Sequence, residues 1–346
     1  MQDKLPTPPD GVHLEDVEIG RTIEFGRISV SKQDIITFAR AYDPQPMHID
    51  EEAAKASIVG GLCASGFHSC AIMMRMIVDG LLKKGWTSLG SPGLDECKWL
   101  KPLFPDQTLT GRVTCIEKRA LGSRPEVGLI KTKFEMLNQA GDVIMTWDGN
   151  QLLKVRNPGP KSEGGGKGER PPALESVWDG DGPAPDPTRN FYEDRQIGEV
   201  YELGSHTFER DEIIAFAKQF DPQPFHLDEE AGRKSLFGGL CASGWHTCAM
   251  WMRYNCAARE RTIRIPWHSE GSEPEFGPSP GFRNLRWVKP VYAGDRITFF
   301  RTNIEYRPVR SRPGWIVLTL KGEAVNQNGD LVLEMENAVL VRASLP

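Results

Sequence analysis

Residues 43–75 read DPQPMHIDEEAAKASIVGGLCASGFHSCAIMMR, and residues 221–253 read DPQPFHLDEEAGRKSLFGGLCASGWHTCAMWMR. The two segments are identical at 22 of 33 positions, at a constant offset of 178 and without a gap. A period this long marks a duplicated domain, not a solenoid of short repeats. Upstream, Ile35 to Ala39 pairs with Ile213 to Ala217, and Glu18-Ile19-Gly20 with Gln196-Ile197-Gly198. Downstream the offset becomes 188, so that Trp99-Leu100-Lys101-Pro102 matches Trp287-Val288-Lys289-Pro290, and ten extra residues fall in the second copy between Arg253 and Trp287. Arg156 to Asn190 is rich in Pro, Gly and acidic residues, a composition that cannot bury a core and reads as a linker. The expected organisation is therefore a domain at 11–155, a linker at 156–190 and a second domain at 191–346.

Composition narrows the partners. The net charge is −5 with no long Lys/Arg run, which argues against nucleic acid. Nine Trp and fifteen Phe argue against a disordered chain. The most apolar stretch, Cys70 to Leu82, is broken by Arg75 and Asp79 and is shorter than the roughly 18–20 residues a membrane helix needs, so no membrane partner is expected. Seven Cys, an odd number, together with an N-terminus lacking an apolar leader pattern, predict free thiols in a reducing compartment, the cytoplasm.

Each copy follows one plan. Ser31-Lys-Gln-Asp34 reads as a capping box opening a short helix that must stop near Asp43, because Pro44 and Pro46 cannot continue it. Pro44 to Asp50 is then extended or turn-like. Ser65 is placed as the N-cap of a longer helix from Gly66 to Leu82 whose apolar residues cover much of its circumference, which predicts burial. Leu109 to Ile116, Val127 to Leu137 and Val143 to Val155 read as strands, as do Arg296 to Tyr306, Trp315 to Val325 and Leu331 to Val341 in the second copy. One buried helix with an antiparallel sheet around it is an α+β layout.

Asp43 and His48, repeated as Asp221 and His226, lie five residues apart across a stiff Pro-Gln-Pro spacer. A carboxylate and an imidazole suit general acid–base chemistry near neutral pH. The alternative is an Asx-type turn carrying a surface His; repetition weakens it without removing it, since a duplicated turn also repeats. Gly60 to Gly66, matched by Gly238 to Gly244, leads into the buried helix. Free N–H groups there suit a carbonyl oxygen gaining negative charge, or form a plain helix start. Cys63, His68 and Cys70 do not have zinc-motif spacing, so no metal is expected. Ser65 with His68 lacks an acid partner for a nucleophilic pair. Trp99 and Trp287, beside Lys98, Lys101, Arg286 and Lys289, suit either an edge meeting an anionic ligand or a half-exposed strand.

These segments resemble the MaoC-like, (R)-specific enoyl-CoA hydratase/dehydratase family. The resemblance rests on an Asp followed five residues later by His, a Ser-Gly at the start of the central helix, and a strand of the form Lys-x-Pro-Val-x-x-Gly-Asp. Trp287 to Asp295 carries that strand, and Trp99 to Asp106 is a looser copy. It covers both repeats. Gln replaces the family's usual Asn before Pro, and an extra Pro follows each Asp. The resemblance implies two tandem hotdog domains forming an internal pseudo-dimer, able to associate further into a homo-oligomer. It places Asp43, His48, Asp221 and His226 as catalytic, and the N–H groups of Gly66 and Gly244 as oxyanion donors. Ser65, Ser243, Trp99 and Trp287 become substrate-binding candidates. The implied reaction is reversible hydration of a trans-2-enoyl thioester, with no metal or redox cofactor; coenzyme A or a carrier's pantetheine is part of the substrate.

A hotdog thioesterase and a non-catalytic acyl-thioester-binding protein are the rivals. The first usually needs a carboxylate on the central helix, and none stands between Gly244 and Ala258. The second fits poorly with Asp, His and Gly kept in both copies. Phe225 stands where the first copy has Met47, and Trp245 where it has Phe67, so two competent sites of unequal preference are expected. The second, with the closer strand motif, is expected to be the main one.

Overall fold

A computed structural model describes residues 8–162, 198, 200–263 and 275–342. The first half runs β1 (Thr22–Val30), α1 (Lys32–Tyr42), α2 (Pro46–Ile49), α3 (Glu51–Ala56), α4 (Gly66–Gly80), β2 (Ser88–Trp99), β3 (Gln107–Leu121), β4 (Arg124–Leu137) and β5 (Val143–Lys154). The second repeats it as β6 (Val200–Thr207), α5 (Arg210–Phe220), α6 (Pro224–Leu227), α7 (Glu229–Lys234), α8 (Gly244–Ile263), a two-residue β7 (Glu275–Phe276), β8 (Gly281–Trp287), β9 (Arg296–Pro308), β10 (Trp315–Val325) and β11 (Leu331–Arg342).

The strands form one sheet in the order β1-β3-β4-β5-β2-β8-β11-β10-β9-β6, with β7 paired to β11. All its strand pairs are antiparallel. Each half-sheet curves round its own central helix. Gly80 of α4 lies against Phe25 and Gly26 of β1, while Trp251 of α8 lies on Gly322 of β10 and donates its indole N–H to the Phe300 carbonyl at 2.9 Å. This is the tandem hotdog arrangement, and one large buried apolar cluster runs through both halves, from Val12 to Met335.

The halves meet at β2 and β8, where Gly93 pairs with Arg286 and Lys98 with Gly281. The seam is tight. A Cβ on Gly93 would stand 2.1 Å from the Leu285 oxygen, and one on Gly281 2.0 Å from the Cys97 oxygen, at φ values of +150° and +144° that suit glycine.

Local signals explain most elements. Ser31 and Asp34 form the expected capping box; in the second half Glu209 and Glu212 do the same. The structure corrects several details. Pro46 does not hold its segment extended. With Gln45 as N-cap it starts α2, because a proline at the first helical position loses no hydrogen bond. The central helix of the first half ends at Gly80 and passes into a 3₁₀ turn, Leu82–Lys84. β1 and β2, unmarked in the sequence, complete the first half-sheet. The expected linker begins at Arg156, yet that residue is fixed to the first half by Asp10 and Asp16, and Ser162 N–H donates to the Gly122 carbonyl. Residues 163–190 of the linker, and residues 264–274 within the stretch that carries the second copy's ten extra residues, lie outside the described residues.

Candidate active site

The end of α1 sets the first carboxylate. Asp43 leaves the helix at φ −150°, ψ 67°, with its N–H still bonded to the Ala39 carbonyl, and Pro44 prevents another turn. Its side chain is buried and held from several sides. Ser65 Oγ donates to Oδ2 at 2.6 Å, Gln45 Nε2 donates to Oδ1 at 2.8 Å, and the Cys256 thiol, from the other half's central helix, lies 3.4 Å from Oδ1. α2 then carries His48 back. Its Nδ1 donates to the Cys63 carbonyl at 2.8 Å, which leaves Nε2 facing Asp43 Oδ2 at 3.7 Å.

The second half repeats the arrangement. Ser243 Oγ donates to Asp221 Oδ2 at 2.6 Å and Gln223 Nε2 to Oδ1 at 2.9 Å. His226 Nδ1 donates to the Cys241 carbonyl at 2.7 Å, and Nε2 lies 3.4 Å from Asp221 Oδ2. Burial works against a charged His226, but the adjacent Asp221 carboxylate outweighs it and lifts the pKa to about 10. The hydrogen bonding agrees: with Nδ1–H committed to a carbonyl, only a doubly protonated ring presents a donor to the carboxylate.

Both dyads are buried and neither is a surface turn. Asp43, His48, Gly66 and Trp99 line one cavity of about 540 Å³; Asp221, His226, Gly244 and Trp287 line another of about 310 Å³. The second is narrowed by aromatic side chains. Phe225 packs on Phe237, and Trp245 stacks on Trp147 with centroids 5.2 Å apart. Each cavity is walled by both halves, with Met252 and Asn255 of α8 in the first and Met74 and Ile77 of α4 in the second.

The helix starts open into these cavities. Ser65 occupies the N-cap position but makes no cap bond, its hydroxyl being turned onto Asp43. Among the described residues no acceptor faces the Gly66 or Gly244 N–H. Their lack of a side chain is enforced from above: a Cβ on Gly66 would meet the Trp99 indole at 2.4 Å, and one on Gly244 the Trp287 indole at 2.3 Å. Both indole N–H groups are buried, with the Cys70 and Cys248 thiols as their neighbouring acceptors. Ser65 and Ser243, expected on the substrate, have their hydroxyls on the Asp43 and Asp221 carboxylates. They are fully buried against the carboxylates and do not line the cavities. Gln45 and Gln223, which the sequence marks only as a departure from the family's Asn, hold the other carboxylate oxygen. Their signal was their exact repetition between the same two prolines.

His68 and His246 belong to the core. They stack on Phe38 and Phe216 at 4.4 and 4.5 Å, and burial lowers both pKa values to about 3. Burial and the neighbouring Asp43 push the Cys63 thiol up to about 12, which suits a packing role. None of the seven cysteines is in a disulfide, and all are buried. Among the described residues no group of His, Cys, Asp and Glu is arranged to hold a metal, and no helix is long and apolar enough to cross a membrane.

Comparison with known proteins agrees with the geometry. The model of the MaoC like domain matches twice, at residues 15–133 and 193–312. A curated relative, the uncharacterized protein YdeM of Bacillus subtilis (strain 168), is 32% identical over 142 residues, covering 41% of this chain and 98% of its own. The crystal structure of a putative MaoC domain protein dehydratase from Chloroflexus aurantiacus superposes with a TM-score of 0.74 at 15% identity, over 100% of both chains. A conserved hypothetical protein of Mycobacterium tuberculosis, described as a double hotdog fold, gives 0.68 at 14% identity over 96% of this chain and 99% of its own.

Proposed function

The chain belongs to the MaoC-like family as a tandem pair of its domains, and on that footing we propose that it is a hydro-lyase acting on acyl thioesters, interconverting a trans-2-enoyl thioester and the (R)-3-hydroxyacyl thioester. The observation that carries this reading is the pairing, in each cavity, of an Asp/His dyad with a helix-start N–H that has no acceptor among the described residues.

In the hydration direction a water sits between carboxylate and imidazole. The Asp221 carboxylate takes one proton of that water as its oxygen bonds to C3. The His226 imidazolium, kept charged by the same carboxylate, gives a proton to C2. The proton gained by the carboxylate then returns to the imidazole across the short Oδ2–Nε2 gap, and the net change is one water added across the double bond. Charge that builds on the thioester oxygen meets the Gly244 N–H and the positive end of α8. In the first half Asp43, His48 and Gly66 would take the corresponding parts. Trp99 and Trp287 wall the thioester end of each cavity and hold the glycines in place. The reaction needs no metal or redox cofactor, and coenzyme A or a carrier's pantetheine enters as part of the substrate.

The test is spectrophotometry of crotonyl-CoA. Loss of enoyl-thioester absorbance without release of free thiol is the expected result; thiol release would make the protein a thioesterase, and neither change a binding protein. His48→Ala and His226→Ala should each remove one site, with the double mutant down by about 10²–10⁴-fold. Full activity in the double mutant would end the dyad assignment.

A further inference from the structure

The two halves carry comparable aromatic bulk in different places. On the first half's sheet Phe134 and Trp147 are cross-strand partners in edge contact, with ring centroids 5.6 Å apart. Trp147 also reaches beyond its own half. It stacks on Trp245 of α8, with the ring planes only 13° from parallel, and the two indoles form a plate in the wall of the Asp221/His226 cavity. At the matched positions the second half has Gly322 and Met335, again cross-strand partners. The bulk missing from that strand pair returns on the helix as Trp251, which stands where α4 has Met73. Trp251 packs on Gly322 and is held inside its own half by the Phe300 carbonyl. Met335 does not line the Asp43/His48 cavity. Phe67, the smaller counterpart of Trp245, stacks instead on Phe282, which lies outside that lining.

The exchange accounts for the unequal volumes, about 310 Å³ around Asp221 and about 540 Å³ around Asp43. Both indoles of the plate are buried and braced, Trp147 by Phe134 and Trp245 by the Trp287 edge at 5.3 Å, so close packing leaves them no room to swing aside. The wider cavity also borders a second apolar cluster, through Leu318, Leu320 and Val339. Their counterparts are Ile130, Thr132 and Gln151, and Gln151 lines the narrower cavity. Basic side chains at matched positions do not divide the sites, since Lys101 and Arg312 line one cavity and Lys289 and Arg124 the other. Arg301 and Asn255 make part of the wider lining polar, but the apolar run is present in that cavity as well.

We infer that the plate of Trp147 and Trp245 restricts the Asp221/His226 site to short acyl chains, while the Asp43/His48 site takes long ones. Trp147 sets the limit from the opposite half. This division rests on the acyl-thioester reading of both sites and adds to it which acyl group each one takes. A wall that will not yield to one more methylene discriminates by about 10–200-fold.

The test is calorimetric binding of butyryl-CoA and decanoyl-CoA, saturated probes that do not turn over, to the full chain. Butyryl-CoA should occupy two sites per chain with similar affinity, whereas a second decanoyl-CoA should bind more weakly than the first by about tenfold or more. Trp147→Met, which installs the residue the second half carries, should bring the two decanoyl sites together. Trp245→Phe, which installs the residue of the first half on the other side of the plate, opens the same wall by a second route. Cooperative melting checks that each variant folds. Two equal decanoyl sites in the wild type, or unequal ones retained in both variants, overturn the assignment. Binding does not require turnover, so a decanoyl difference removed by these variants, with no hydration of any enoyl-CoA, would reject the hydro-lyase reading alone. In turnover, His48→Ala should favour crotonyl-CoA over trans-2-decenoyl-CoA by about tenfold or more in kcat/KM, and His226→Ala should show the reverse. The same preference in both variants would also overturn the division.

Discussion

Arg75, on the central helix of the first half, donates from Nη1 to the carbonyl oxygens of Lys218 and Gln219 at 2.9 and 3.1 Å, at the end of the helix that delivers Asp221 in the second half. Arg253, at the matched position, reaches the Ala41 carbonyl beside Asp43. Each central helix thus caps the helix that carries the other half's carboxylate, where a cation also meets the negative end of the helix dipole.

Removing the clamp should loosen the dyad it serves. A hydrogen bond from a charged donor is worth about 1.5–3 kcal/mol, so Arg75→Met, read in a His48→Ala background, should lower turnover at the Asp221/His226 site by about tenfold. Arg253→Met should do the same to the Asp43/His48 site, read in His226→Ala. Undiminished turnover in either background would show that the carboxylates are held from within their own half.

The hydroxyls of Ser65 and Ser243 each meet a carboxylate oxygen at 2.6 Å. Ser65→Ala and Ser243→Ala should lower kcat at their own sites by about 10–100-fold, with little change in KM, because the serines do not line the cavities. A rise in KM with kcat preserved would return these serines to the substrate.

Gly66→Ala should fail structurally before it fails chemically. The new methyl would lie 2.4 Å from the Trp99 ring, and overpacking of this kind costs about 1–3 kcal/mol. Thermal unfolding of Gly66→Ala and of Gly66→Ala with Trp99→Leu checks it, and the smaller partner should recover most of the loss. Equal melting temperatures for the two would place the strain elsewhere.

The pH dependence of stability has two arms of opposite sign. His226 has a folded pKa of about 10 against an ordinary 6.5, so the folded state binds the extra proton between those values. Its contribution is complete below pH 6.5 and is lost as pH rises through 10. His246, lowered to about 3, works the other way, because the unfolded chain takes up a proton that the core refuses and stability falls as pH drops from 6.5 toward 3. Denaturant midpoints should show the wild-type advantage over His226→Gln shrinking across the alkaline window, and an acid loss that His246→Phe reduces. An advantage over His226→Gln that holds to pH 10 would mean the imidazole is neutral in the fold.

Much of this was legible because it is local. The capping box, the helix stop at Asp43 and the Asp/His spacing each depend on a few adjacent residues. β2 was hidden because Ser88–Trp99 contains two glycines and a proline, which read as loop; Gly93 is there to admit the partner strand at the seam. α2 was hidden because proline breaks helices everywhere except at their first turn. Arg301 of β9 was hidden because an arginine in a strand ordinarily faces water, and only the pairing of the halves shows that this one is buried and lines the cavity of the other copy's dyad.

The seam between β2 and β8 has a consequence for how such a protein changes over time. In a dimer of identical subunits every substitution is written twice, so a residue that improves one pocket alters the other by the same amount. Joining the copies in one chain removes that constraint. Because part of each wall comes from the opposite half, a single change at Met252 or Asn255 of α8 reshapes the pocket around Asp43 and leaves the pocket around Asp221 with its own wall. The shared sheet keeps the halves registered while their linings drift apart, and a second specificity can arise without a second gene.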